Sequence, residues 1–121
     1  MAVVDYTKTE IDIGIWLVKW VGVKQTDTMT PFPAAGTAPD KSVQVSGTFG
    51  AAGTITIEGS NWAPGESSPV YAGLTDPQAN ALSFTSAKIE AVLENVSLIR
   101  PVLTGGDGTT SLNIRILMTL R

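Results

Sequence analysis

Asp5, Glu10 and Asp12 bring three carboxylates into one short run of this 121-residue chain. Paired carboxylates can act as acid and base on one bond. Glu10 and Asp12 are two apart, however, so on a strand they share a face and read as a solvated edge. The chain has no histidine and no cysteine. That removes an ordinary hydrolase triad, thiolate chemistry, disulfides and the commonest zinc ligands. Gly105-Gly106-Asp107-Gly108 has the composition of a phosphate cradle or calcium loop. No P-loop lysine follows it and it holds one carboxylate, so it reads as a hairpin turn. Lys19, Lys88, Arg100 and Arg115 form no run, and the net charge is −3. No nucleic-acid groove is expected. The residues name no catalytic group, cofactor or metal ligand, and the expectation is a protein that is not an enzyme.

The aromatic residues remain, and their chemistry is recognition. Trp16 and Trp20 are four apart and share a strand face. They either cover a core or present a stripe to a protein or a sugar ring. Phe32, held between Pro31 and Pro33, either tucks onto its own core or plugs a pocket on a neighbour. Tyr6 lies in an N-terminal segment, residues 1–10, that is a loose end, a short edge strand or an arm docking on a neighbour. Tyr6, Trp16, Trp20, Pro31, Phe32 and Pro33 are the candidate partner-binding residues.

These side chains need elements to position them. Hydrophobic residues make up 43% of the chain and charged residues 16%, which suits one domain with some surface covered by a partner. Ile11 to Val23 alternates as one long strand, or as two joined by a bulge near Gly14 or Lys19. Lys19 sits on its aliphatic face and must snorkel or mark that bulge. Residues 25–41 form a Pro-rich loop. Ser42 to Trp62 shows two alternating runs around Gly47, Gly50 and Gly53 and reads as an antiparallel hairpin. Val70, Tyr71 and Leu74 suit a short strand, and Asp76-Pro77 starts a turn running to Asn80. Leu82 and Phe84 alternate again. Ser86 to Asn95 has a cap and Ile89, Val92 and Leu93 at helical spacing, which predicts the one helix. Val96 to Leu103 reads as a strand whose Pro101 implies an edge or bulge. Ser111 to Arg121 is the cleanest strand, with Leu112, Ile114, Ile116, Met118 and Leu120 on one face. The fold class is all-β: a single antiparallel β-sandwich, jelly-roll-like, with one short helix at about 86–95. The N-terminus lacks a signal-peptide pattern, and Ile13–Val23 is too short to span a bilayer.

Two segments, VSGTFGAAGTITIEGSNW and ENVSLIRPVLTGGDGTTSLNIRIL, resemble a short β-sandwich family of bacteriophage virion proteins. Leu74-Thr75-Asp76-Pro77-Gln78, Asn80, Leu82 and Phe84 fit its middle segment. Ile99-Arg100-Pro101 and Gly105-Gly106-Asp107-Gly108 fit its end. The resemblance covers about 41–120 and implies a capsid decoration (cement) protein on the outer head surface of the virion, made in the host cytoplasm. Its implied partners are the major capsid protein and further copies of itself, as a dimer or trimer, without nucleic acid or membrane. A tail or baseplate protein of the same fold is an alternative. Glu58-Gly59-Ser60-Asn61-Trp62 also resembles discoidin-type, galactose-binding-like domains, which implies a carbohydrate-binding module. The Asp-Gly after the asparagine is missing here, and Leu98 replaces the aromatic before Ile99-Arg100.

Overall fold

Alternating side chains decide which face of each strand is covered. A computed structural model describes residues 1–34, 40–63 and 65–119. Its strands in chain order are β1 (Val3–Val4), β2 (Thr7–Asp12), β3 (Ile15–Val23), β4 (Thr28–Met29), β5 (Phe32–Pro33) and β6 (Asp40–Thr48). Then come β7 (Thr54–Ser60), β8 (Ala72–Gly73), β9 (Ser83–Phe84), β10 (Lys88–Val92), β11 (Leu98–Thr104) and β12 (Ser111–Thr119). The first sheet has the order β10-β6-β12-β3-β2, antiparallel throughout. The second has the order β5-β11-β7-β8, with β9 also on β7. A parallel ribbon of β1 and β4 ties the N-terminus to the chain after β3.

The two large sheets face each other across one core, so the chain is an all-β sandwich. Val18, Trp20, Val43, Val45, Ile114 and Ile116 enter the core from the first sheet. Ile55, Ile57, Phe84 and Ile99 meet them from the second. β12 is central, between β6 and β3, as its long alternation predicts. Leu120, expected on its core face, lies outside the described residues.

Four expectations are corrected. Ser42 to Trp62 is not a hairpin: β6 lies in the first sheet and β7 in the second. Val43 and Val45 still face Ile55 and Ile57, but across the core. Alternation puts one row of side chains inward whether the next strand pairs or crosses, so it could not separate the two cases. The Gly105–Gly108 turn likewise joins strands of different sheets. The helix at 86–95 is absent; Lys88–Val92 is β10, paired along Lys41–Val45 of β6. Ile89 and Leu93 are exposed and Val92 is buried, so the helical spacing marked no common buried face. The open edge of β6 supplies a full ladder that a short, weakly capped helix cannot match. Finally, the break at Gly14 is a reversal: β2 and β3 form the hairpin, with Gly14 at φ 74° and the bulge between Glu10 and Asp12.

The Pro-rich stretch, expected as a loop over 25–41, holds two short strands, β4 and β5, and the start of β6, and its residues 35–39 lie outside the described residues. Pro33 sits in β5 at the end of its sheet, where a missing N–H costs no ladder bond. Because β5 pairs only with Leu98 and Ile99, the rest of β11, Pro101 included, is an edge on that side, as Pro101 implied.

Candidate functional site

The six aromatic and proline candidates gather at one end of the sandwich, most of them facing inward. Alternation along β3 sends Val18 and Trp20 into the core, with Trp16 half-buried on the same face. Phe32 is 1% exposed and Trp20 0%. The tryptophan's indole N–H donates to the Thr30 carbonyl at 3.0 Å, so its one polar atom is satisfied. Tyr6 packs edge-on against both, with ring centroids 5.3 Å from Phe32 and 6.1 Å from Trp20. The Lys8 ammonium stands 4.5 Å from the Trp16 centroid and 5.6 Å from that of Phe32. Pro31 and Pro33 are half-buried beside Phe32. Phe32 and Trp20 are therefore core residues of this chain, and neither ring projects toward a partner. Among the described residues no tryptophan is fully exposed, since Trp62 is half-buried too.

The N-terminal segment that brings Tyr6 here docks on its own chain. Thr28 N–H donates to the Ala2 carbonyl and Thr30 N–H to the Val4 carbonyl. The Asp27 carboxylate takes the N–H groups of Lys24 and Ala2. The bond from Lys24 is the largest cause that holds the Asp27 pKa below its usual 3.8.

Asp107, the carboxylate of the glycine run, holds loops instead. The two crossing loops, 49–53 and 105–110, lie side by side. Asp107 accepts from Ala51 N–H at 2.9 Å, Thr109 N–H at 2.9 Å and Thr109 Oγ1 at 2.6 Å. The Thr109 contacts lead in holding its pKa below 3.8, with Ala51 adding to them. Thr110 Oγ1 donates to the Phe49 carbonyl and Gly106 N–H to that of Ala51. Gly105 has φ +68°, and a Cβ there would overlap the Ala52 carbonyl. So the glycine run serves close approach of one loop to the other, not an anion.

Asp76 is buried and accepts from the N–H groups of Gln78 and Asn80, closing the expected Asp-Pro turn. Glu94 takes the N–H and hydroxyl of Thr75. Burial opposes its charge, but the Thr75 contacts outweigh that and leave its pKa below 4.5. Arg100 is paired with Glu58 at 2.8 Å and stacked 3.8 Å from the Tyr71 centroid. The Tyr71 hydroxyl is buried and meets no partner. Lys41, buried at the end of β6, donates to Asn95 Oδ1 at 3.1 Å; burial pushes its pKa below 10.5, against the pull of Asp40.

A hollow of about 190 Å³ opens between β4 and β11. Its charged lining is Asp27 and Arg100, both already engaged. Among the described residues no three metal-ligating side chains come together.

The outer face of the first sheet holds none of the six candidate residues. Ile15, Leu17, Lys19 and Val21 of β3 point there, next to Arg115 and Leu117 of β12. Ile11 and Ile89 extend it on either side. The signal was Lys19 itself. A lysine on the aliphatic face of β3 marks that face as the outer one and leaves the tryptophan face to the core. No match is found for the chain among known protein families, curated proteins or solved structures.

Proposed function

We propose that this chain is a non-enzymatic structural protein of a bacteriophage particle, a decoration protein that binds the outer head surface and strengthens contacts between major capsid subunits. One observation carries the reading: Asp27, Asp76, Glu94, Asp107 and the Glu58–Arg100 pair are engaged in holding loops and termini to the sandwich. Such bonding suits a rigid body that presents surface, and it leaves those groups ill placed to move protons. The motifs of the second half add the virion reading by resemblance. Contacts made only on the assembled shell stabilise that shell by mass action.

The contact with the head is assigned to the N-terminal ribbon. Met1 and Val3 are exposed there on a short parallel pair of strands that the Asp27 contacts hold in place. The sugar-binding alternative loses support because Trp20 is fully buried and Trp16 and Trp62 are half-buried.

Purified protein mixed with undecorated heads of its phage should bind saturably and raise the temperature at which heads come apart. Val3→Asp should weaken that binding at least about tenfold and leave the melting of the free protein unchanged. Finding the protein in purified tails and not on heads would replace this reading with the tail or baseplate one.

A further inference from the structure

We infer that the outer face of the first sheet is a self-complementary interface that joins two copies of this chain face to face. This inference goes beyond the head-binding reading and does not depend on it.

The register of the strands arranges this face in rows. A central row runs Ala91, Ser42, Leu117, Leu17 and Thr9. Two residues further along each strand lies a row of Ile89, Gln44, Arg115, Lys19 and Thr7. On the opposite side of the centre lies a row of Asp40, Thr119, Ile15 and Asp12. The face is therefore uncharged in the middle, with Leu117 and Leu17 at its centre, basic on one side and acidic on the other.

The basic side is unfavourable in one copy alone. Arg115 and Lys19 are directly opposed on neighbouring strands, where like charges repel. Neither has a carboxylate within salt-bridge distance among the described residues; the bridges there are Lys88–Glu90 and Glu58–Arg100. Asp12 accepts from the N–H of Ile13 at 2.8 Å, a bond that leaves its charge in place.

A two-fold axis lying along the central row resolves this. It reverses the strand direction in the second copy and keeps each strand over its counterpart. Leu17 and Leu117 then meet their own equivalents. Lys19 of each copy lands over the row that carries Asp12, about one strand spacing (~5 Å) to the side, and Arg115 falls over that same acidic row. Long cationic side chains span that offset. A two-fold axis along the strands would set the basic row on itself, so one orientation is selected. Such an isologous pairing needs a surface that complements itself.

The size is sufficient. Strands of 5, 9, 9, 9 and 6 residues, about 4.8 Å apart and rising about 3.3 Å per residue, make a face of about 600 Å². Specific interfaces begin at about 600 Å² per partner. Side-by-side growth of the sheet is discouraged instead, since edge strand β2 carries Lys8, Glu10, Asp12 and a bulge.

The test is sedimentation of the free protein with four forms of the chain. Wild type should sediment as a dimer. Leu117→Asp should be a monomer with an unchanged circular dichroism spectrum. Lys19→Glu/Arg115→Glu makes both flanking rows acidic, and Asp12→Lys/Asp40→Lys makes both basic. Each alone should dimerise at least about tenfold more weakly than wild type. An equimolar mixture of the two should recover a dimer containing one of each. A monomeric wild type overturns the inference. So does a dimer untouched by Leu117→Asp, or two charge variants that dimerise alone but not with each other.

Discussion

Phe32 shows how one side chain can suit two opposite roles. Flanked by prolines, it has the stiffness of an anchor, yet its ring closes the end of its own core against Tyr6. Phe32→Ala should therefore cost the free protein about 3–5 kcal/mol in a denaturant titration. An anchor for a partner would leave that midpoint in place. Asp107 is the counterpart among polar residues. Its hydrogen bonds act on the ionised form, so they matter only while the group is charged. Asp107→Asn should lower the melting temperature at neutral pH and have less effect in acid.

At the scale of elements, the crossing loops decide the architecture. Each carries the chain from one sheet to the other, and each rests on its neighbour through Asp107, Thr110 and Gly106. Gly105→Ala should destabilise the protein by about 1–3 kcal/mol, because it meets both a left-handed φ and the Ala52 carbonyl. Gly108→Ala, which faces open space, should stay within about 0.5 kcal/mol of wild type. Strand β10 makes a separate claim. It lies at the edge of its sheet, so only alternate amides between Lys88 and Val92 point at β6. Hydrogen exchange should show alternating protection there. Consecutive protection would mean that the segment is a helix after all.

Across the whole molecule, the acid side of the stability curve follows from three carboxyls with lowered pKa values: Asp27, Glu94 and Asp107. Each binds its proton less readily folded than unfolded, so the unfolded chain gains protons first as pH falls. Their contribution is complete above the unfolded values of 3.8 for the aspartates and 4.5 for the glutamate. It is lost as pH falls through the lower, folded values. The melting temperature should be level from neutral pH to about pH 5 and fall below it. The fall should be shallower in Asp107→Asn. One core shared by both sheets also predicts a single cooperative unfolding transition.

The amino-acid order alone determined the class of the fold and most of the buried faces. Period-two alternation in Ser111–Thr119, Val43 to Val45 and Ile55 to Ile57 reflects burial of one strand face, which is a local property. The Asp76-Pro77 turn was legible for the same reason, since its hydrogen bonds span four residues. Which strands pair was decided only in three dimensions. β6 and β7 keep their inward rows whether they lie in one sheet or in two, and β10 owes its existence to the free edge of a strand more than forty residues away in sequence. The candidate site divided along the same line. That Trp16 and Trp20 are apolar was plain, but whether they faced in or out depended on which side of β3 met the second sheet. Lys19 recorded the answer, because a charged ammonium stays with water and so turns the aliphatic side of its strand outward.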